Sequence, residues 1–309
     1  MKQVLLALLA GGLLVAAGVL FERYRSEENA YRRLATSDLL RRARADAQDA
    51  VVYWELAQRC YIHNRFTEAL TYLKRAQRLR PGWAELFYLE GCVLRQMGRR
   101  DEALAPLQRA VKLNPKLAAA RFELGLAYNS IGHLKQAIDE LRAYVDLEPD
   151  DDYGYYWLGS CAMSAGMFDV AERSLQRARA LNPQRATTFL VLGNLKLIQN
   201  PTARDLEQAM AYYQRAAEID PTNAEAFALI ATVFYRQKRY AEAARAFEHA
   251  LEIDPTRAEV YYPLGLAYAK IGEKEKSRRC LEIAEIYAKG KEAFARPGGA
   301  VAESVRGKP

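Results

Sequence analysis

Prolines recur at a nearly constant spacing along the middle of this chain. The successive intervals are 34, 34, 34, 38 and 34 residues, between Pro81, Pro115, Pro149, Pro183, Pro221 and Pro255. A period of this size indicates a repeat architecture, in which each structural repeat packs only against its neighbours. Because proline cannot continue a helix interior, each of these residues should mark the junction between two repeats.

Each repeat carries two successive patterns of helical periodicity. In the fourth repeat the apolar residues recur at helical spacing, first at Tyr155, Leu158 and Ala162, then at Ala171, Leu175 and Ala178. Residues that tolerate a positive φ lie between the two patterns: Asn64, Gly98, Gly132, Gly166 and Gly272. The patterns therefore predict an all-α chain of helical hairpins, each with a tight turn between its two helices.

The aligned repeats share a large residue, then Leu-Gly, then Ala, a large apolar residue, Ala and Pro. The fourth repeat shows this order at Tyr155, Leu158, Gly159, Ala171, Leu175, Ala178 and Pro183. The pattern resembles the tetratricopeptide repeat (TPR). The resemblance implies a right-handed superhelix, an α-solenoid of about seven hairpins. The predicted repeats are 50–83, 84–117, 118–151, 152–185, 186–223, 224–257 and 258–291.

Three departures from the pattern carry structural expectations. The fifth repeat has four additional residues within 200–205, between its two helical patterns, which predicts a longer loop there. Tyr144 stands where other repeats have a small residue, so packing between the third and fourth repeats should be unusual. Glu90 replaces a common Leu and must either face water or find a polar partner.

The N-terminus contains an apolar segment of 18 uncharged residues, from Val4 to Phe21. A membrane-spanning helix needs about 20 residues. We therefore expect residues 1–21 to form a transmembrane anchor, with a cleaved secretory signal or a buried core helix as alternatives. The arginines that follow favour a cytoplasmic location for the repeats, although export to the periplasm remains an alternative.

The segments that flank the repeats have different compositions. Residues 22–49 lack Gly and Pro and predict a helical juxtamembrane linker, part of which packs against the first repeat. The last helix should continue past Lys289 toward Phe294 with one solvated face. The remainder of residues 292–309 is expected to be a disordered tail.

No constellation of residues indicates catalysis or a cofactor. His63, His133 and His249 fall at unrelated repeat positions, and the four cysteines are scattered. The acidic run at 148–152 lacks the alternating spacing of a calcium loop and suits helix capping. We therefore predict no enzyme activity, no metal, no cofactor and no small-molecule substrate.

The formal net charge of +7 raises nucleic acid as a partner. The basic residues alternate with 38 acidic ones along every repeat, which is typical of a solvated surface. A nucleic-acid-binding solenoid is kept as an alternative, and no specific nucleic acid is expected.

The TPR resemblance implies that the first helix of each hairpin faces a concave groove. The residues at its groove positions are aromatic with interspersed polar groups: Trp54, Gln58, Tyr61, Tyr88, Arg95, Phe122, Asn129, Tyr153, Tyr156, Asn194, Tyr235, Arg236 and Tyr262. Such side chains combine a large contact area with hydrogen-bonding groups. They predict a protein or peptide partner, although several of these rings could instead pack against neighbouring helices.

The expected function is a non-catalytic scaffold, anchored to a membrane, that assembles or recruits a protein complex. An exported assembly factor of the pilus, secretion or cytochrome-maturation type is the main alternative. The carboxylate clamp by which some TPR proteins bind chaperone tails is absent, because Asn194 is accompanied by Leu229 and Glu259 where the clamp has amide and basic side chains.

Overall fold

The computed structural model describes Tyr31, residues 34–198 and residues 201–295. This part of the chain is all-α, with 15 helices and no strand. Its residues fall into two compact units, divided between Ala165 and Gly166 and here named the N-terminal and C-terminal units.

The N-terminal unit contains eight helices in its described residues. They are α1 (Thr36–Ala45), α2 (Ala50–Ile62), α3 (Phe66–Leu79), α4 (Ala84–Gln96), α5 (Arg100–Leu113), α6 (Ala118–Ser130), α7 (Leu134–Leu147) and α8 (Asp152–Ser164). The C-terminal unit contributes seven more. They are α9 (Phe168–Leu181), α10 (Ala186–Lys196), α11 (Ala203–Ile219), α12 (Ala224–Arg236), α13 (Tyr240–Ile253), α14 (Ala258–Ile271) and α15 (Lys274–Ala295).

Consecutive helices pair as antiparallel hairpins that stack within each unit. In the N-terminal unit α2 pairs with α3, α4 with α5 and α6 with α7, and the first helices α2, α4 and α6 contact one another in sequence. In the C-terminal unit α10–α11, α12–α13 and α14–α15 pair in the same way, and α12 contacts α14. This is the TPR-like helical stacking that the periodicity predicts.

The buried core residues recur at equivalent positions of successive repeats. In the first six repeats one position of the second helix is a large, fully buried residue: Leu73, Leu107, Leu141, Leu175, Tyr213 or Phe247. A small residue on the paired helix gives it room. A Cβ atom on Gly91 would lie 2.3 Å from Cγ of Leu107, and one on Gly193 would lie 2.3 Å from Cε1 of Tyr213. Gly91 and Gly193 therefore leave the space that Leu107 and Tyr213 occupy, and a side chain at either position would force a shift.

The predicted turn positions adopt the left-handed conformation. The φ angles are 58° at Asn64, 75° at Gly98, 80° at Gly132, 74° at Gly166 and 84° at Gly272, which confirms the expectation. The sixth repeat has Lys238 at this position, with φ of 62°. Lysine rarely adopts a positive φ, so the sequence did not predict this left-handed turn.

The fifth repeat has the longer connection that its sequence predicts, between Lys196 and Ala203, and its second helix is longer as well. Helix α11 begins at Ala203 and has 17 residues, whereas α3, α5, α7 and α13 each have 14. Thr202 and Asp205 form a reciprocal capping box at its start. The additional residues therefore lengthen the helix as well as the connection, because the capping box stabilises an earlier helix start.

The two unusual residues of the middle repeats both have partners. Glu90 accepts a hydrogen bond of 2.6 Å from Nε2 of Gln77, which links α4 to α3. Tyr144 is half-buried, and its hydroxyl donates a hydrogen bond of 2.7 Å to Asp151. The packing at Tyr144 is unusual, as the sequence indicated.

Helix α1 covers the first hairpin, with Leu39 fully buried. The helical prediction for 22–49 is wrong at residues 46–49, where the Asp46 and Asp49 side chains bond backbone amides and form a turn. Helix α15 reaches Ala295, so residues 292–295 are helical and not part of a disordered tail. The predicted anchor at 1–21 and the tail at 296–309 lie outside the described residues.

Within the described part, no helix combines the length and apolarity that crossing a bilayer requires.

Candidate protein-binding surface

The structure divides the predicted groove residues between the two units. Nine lie in the N-terminal unit, on α2, α4, α6 and α8: Trp54, Gln58, Tyr61, Tyr88, Arg95, Phe122, Asn129, Tyr153 and Tyr156. Four lie in the C-terminal unit, on α10, α12 and α14: Asn194, Tyr235, Arg236 and Tyr262. All thirteen are on the first helices of their repeats.

An aromatic patch forms where α6, α7 and α8 meet. It consists of Phe122, Tyr144, Tyr153, Tyr156 and Trp157. The ring of Phe122 lies 4.9 Å from that of Tyr144 and 5.7 Å from that of Tyr153. Tyr153 stacks on Tyr156 at 5.9 Å with an interplanar angle of 5°, and Trp157 meets both edge-on.

The exposed part of this aromatic patch is the ring of Tyr153, of which 38 % is accessible to solvent. Its neighbours are half-buried, so they support the ring without covering it. Tyr144 and Trp157 belong to the patch although the groove pattern did not select them. Tyr144 comes from a second helix, which a first-helix pattern cannot include, and the aromatic composition of 153–157 was the available signal.

A cavity of about 260 Å³ opens beside the aromatic patch. Its lining combines aromatic, small and acidic residues: Tyr88, Ala118, Ala119, Phe122, Glu123, Tyr144 and Glu148. Burial, with nearby Cys92 and Glu123, raises the pKa of Tyr88 well above its ordinary value. The Tyr88 hydroxyl therefore stays protonated at physiological pH.

Arg95 does not extend freely from the surface. Its guanidinium donates two hydrogen bonds, of 2.7 and 3.2 Å, to the carboxylate of Glu123, so the pair joins α4 to α6. Burial alone would lower the pKa of Arg95, but the charge and hydrogen bonds of Glu123 outweigh it and raise the pKa. The pair fixes the wall of the cavity.

Several predicted groove residues serve the core instead. Trp54 is buried, and its ring packs 5.3 Å from that of Trp83, so it is not a surface residue. The amide oxygen of Asn194 accepts a hydrogen bond of 2.7 Å from the buried Tyr213. The rings of Tyr61 and Tyr235 pack against Phe66 and Tyr240 respectively. Gln58 and Asn129 are half-buried, whereas Arg236 and Tyr262 are exposed.

The acidic run beside the patch caps a helix, as its position predicts. Asp151 precedes α8, and its carboxylate accepts hydrogen bonds from the backbone amides of Tyr153 and Gly154. Because these bonds fix the first turn, Asp151 orients the start of the helix that carries the patch.

In the described residues no group of three His, Cys, Asp or Glu side chains could hold a metal ion.

The buried cysteines have little nucleophilic character. Burial raises the pKa of the Cys92 thiol to about 12 and that of the Cys161 thiol to about 11. Because the thiolate is the reactive form, both groups remain unreactive near neutral pH.

Sequence comparison identifies related repeats over most of the described region. The family profile of the cytochrome c-type biogenesis protein H TPR domain matches residues 133–261. Two general tetratricopeptide repeat profiles match residues 88–152 and 234–295. No curated protein gives a significant match to the chain.

Solved structures share the fold at low sequence identity. A tetratricopeptide repeat protein from Parabacteroides merdae superposes with a TM-score of 0.64 and 18 % identity, over 80 % of this chain and 96 % of that protein. PilF from Pseudomonas aeruginosa gives 0.57 and 17 %, over 68 % and 97 %. YrrB, described as a TPR protein with an unusual peptide-binding site, gives 0.50 and 20 %, over 61 % and 95 %.

The three profiles together extend from residue 88 to residue 295, across the same paired helices and left-handed turns. Residues 88–295 of this chain therefore contain tetratricopeptide repeats.

Proposed function

We propose that this protein is a non-catalytic scaffold that captures a segment of a partner protein on the aromatic patch of its N-terminal unit. TPR proteins in general mediate protein–protein interactions. The observation that carries the proposal is the exposed ring of Tyr153, supported by Tyr156, Phe122 and Trp157, beside an open cavity. A rigid aromatic surface of this kind concentrates binding energy in few residues.

The chemistry of the patch defines the segment that it suits. Aromatic rings offer flat apolar contact, and the protonated Tyr88 hydroxyl together with Glu148 provides hydrogen-bonding groups at the cavity. An extended segment with apolar or proline side chains fits these groups, because it leaves its own backbone amides and carbonyls available. Helices pre-organise the patch, so little ordering entropy opposes binding.

The experiment uses the full chain and a Tyr153→Ala/Tyr156→Ala variant as baits for proximity labelling in the native cells. We expect the double substitution to reduce capture of the main partners about tenfold while helical content and melting stay unchanged. The matched control is Ile286→Ala, which removes an exposed apolar side chain from the C-terminal unit at a position outside the aromatic patch and its cavity. Equal loss of capture in both variants, or unfolding of the double variant, would contradict the proposal.

We also propose that residues 1–21 anchor this scaffold to a membrane. The support is the apolar run Val4–Phe21 and its length. Carbonate extraction of membranes should leave the full chain in the pellet and release a version that starts at residue 22. Protease protection in spheroplasts then distinguishes a cytoplasmic from a periplasmic location of the repeats. Release of the full chain by carbonate would end the anchor proposal.

Assembly of c-type cytochromes is a second candidate function. The match of residues 133–261 to a cytochrome c-type biogenesis TPR domain favours it. In cells that lack this protein, the haem covalently attached to c-type cytochromes should fall, and the full chain should restore it. Unchanged covalent haem would exclude this candidate but leave the scaffold proposal intact.

Nucleic-acid binding is the least supported alternative, since acidic and basic residues alternate over the repeats. A gel-shift titration of bulk RNA at low salt tests it, because phosphate contacts are strongest there.

A further inference from the structure

The last hairpin leaves an apolar groove open at the end of the C-terminal unit. This end groove, between α14 and α15, has a volume of about 560 Å³ and is lined by Ala258, Glu259, Tyr262, Leu281, Ala284, Glu285, Tyr287 and Ala288. Tyr262 is 58 % exposed and Tyr287 is 42 % exposed. The last hairpin therefore exposes apolar surface to solvent as well as the charged face that its sequence predicts.

Comparison with the preceding hairpin shows what covers the equivalent surface there. A shift of 34 residues relates Leu281 to Phe247 and Ala284 to Ala250 in the preceding hairpin. There the equivalent surface is covered by the next first helix, α14, whose Val260 and Leu264 are buried in one cluster with Phe247. The end groove therefore continues an interface that elsewhere in the unit accepts a helix.

The other terminus of the described repeats is closed by a helix. In the N-terminal unit α1 covers α2, and its Leu39 is fully buried. A head-to-tail contact with a second copy would need that surface to be open. The covering of α2 by α1 therefore favours a different protein as the occupant of the end groove.

The charges of the groove restrict the chemistry of its occupant. Glu259 and Glu285 are both lining residues, and both side chains are more than half exposed. Each forms an ion pair with a cation of its own helix region, Glu259 with Arg257 at 3.1 Å and Glu285 with Lys289 at 2.6 Å. Among the residues that the structure describes, none of those lining the groove is basic. A helix with basic residues beside its apolar face would meet acidic groups on both walls.

We propose that the end groove binds one basic amphipathic helix of a partner protein, in the position that the first helix of an eighth repeat would occupy. This site lies in the C-terminal unit and does not depend on the function proposed for the aromatic patch.

The test is fluorescence anisotropy of the full chain with labelled 18-residue peptides of Leu and Lys. In one peptide Leu recurs at i, i+3, i+4 and i+7, and in the other the same residues are scrambled. We expect the amphipathic peptide to bind at least about tenfold more tightly, and Tyr262→Ala to weaken it about tenfold. Replacement of every Lys by Glu should weaken binding to a similar degree.

The matched control is Ile286→Ala, because Ile286 is 70 % exposed on α15 and does not line the groove. This variant should bind the amphipathic peptide like the unmodified chain, and both variants should melt at the same temperature. Equal weakening by both substitutions, or equal binding of both peptides, would mean non-specific apolar contact and overturn the proposal.

Two further measurements separate the other possible occupants. If sedimentation velocity shows self-association that Tyr262→Ala abolishes, a second copy occupies the groove and the proposal is wrong. If the peptide binds only to a version ending at Ala295, the C-terminal residues of the same chain are the occupant and the proposal is equally wrong. A monomeric full chain that binds the peptide supports it.

Discussion

Gly154 and Tyr144 form a complementary pair between two adjacent repeats. A Cβ atom on Gly154 would lie 2.4 Å from Cε1 of Tyr144, closer than non-bonded carbon atoms approach. The ring therefore occupies the space that a side chain on α8 would fill, and it holds α8 beside α7. The ring of Tyr144 also contacts that of Phe122. The Gly154–Tyr144 contact therefore helps to fix the position of the aromatic patch.

Gly154→Ala should lower the free energy of unfolding by up to about 2 kcal/mol. Alanine in a helix is intrinsically better than glycine by about 1 kcal/mol, but overpacking against a held ring costs about 1–3 kcal/mol. Urea denaturation measures the difference. Gly82→Ala is the control, since nothing lies within 4 Å of its Cβ position. The proposed clash is real only if Tyr144→Ala rescues the Gly154→Ala variant.

Lys238→Gly should raise the free energy of unfolding by about 0.5–1 kcal/mol. Lys238 has a φ of 62°, a conformation that costs a non-glycine residue about 1–2 kcal/mol. Glycine removes that strain but loses about 0.5–1 kcal/mol through its larger chain entropy. The reciprocal change, Gly272→Ala, should destabilise the protein. Chemical denaturation of both variants tests the pair, and a destabilised Lys238→Gly variant would refute the left-handed turn.

Glu123→Ala should destabilise the protein by about 1–3 kcal/mol. It leaves the Arg95 guanidinium, which is only 28 % exposed, without its bidentate acceptor. Glu102→Ala removes a surface carboxylate that pairs with Arg99 at 2.7 Å, and we expect no measurable change there. The melting temperatures of the two variants, each compared with that of the unmodified chain, test this difference. Equal effects would show that burial of the Arg95–Glu123 pair contributes nothing.

The cysteines should react slowly with Ellman's reagent at pH 8, and Cys280 should be the fastest. Cys60, Cys92 and Cys161 are buried, whereas Cys280 is half-buried. Cys280→Ser should therefore remove the fastest phase, and urea should expose the remaining thiols. A fast phase that survives in Cys280→Ser would contradict the burial of the other three.

Stability should fall as the pH rises above about 9. The ordinary pKa of a cysteine thiol is 9.0, and burial raises that of Cys92 to about 12. Between these values the unfolded thiol loses its proton while the folded thiol keeps it, so high pH favours unfolding. Below pH 9 both states are protonated and this group adds no pH dependence. In Cys92→Ala the decrease between pH 9 and 11 should be smaller than in the unmodified chain.

Sequence periodicity was sufficient to predict the helices and five of the turns, since each repeat supplies an independent copy of the same pattern. It could not predict contacts that depend on a second residue elsewhere. Trp54 has a groove position by pattern, yet Trp83 covers it from the segment before α4. The fit of Tyr144 likewise depends on Gly154, which belongs to the next repeat.

The aromatic patch was predicted in part for the same reason. Tyr153 and Tyr156 were identified by their positions on a first helix, and both lie in the patch. Asn194 had an equivalent position, but the hydroxyl of Tyr213 needs a hydrogen-bond acceptor there. Whether a side chain at such a position is available at the surface or bonds a buried group depends on side-chain geometry. An alignment of the repeats does not contain that information.

The longer helix α11 distinguishes the fifth repeat from the other repeats of the C-terminal unit. Its three additional residues relative to the second helices of 14 residues extend it by about 4.5 Å. A row of equal hairpins would present the same outline at each step, so a long ligand could bind in several shifted frames. The fifth repeat breaks this equivalence, because its second helix is longer than α9 and α13, so the steps along the unit can be told apart.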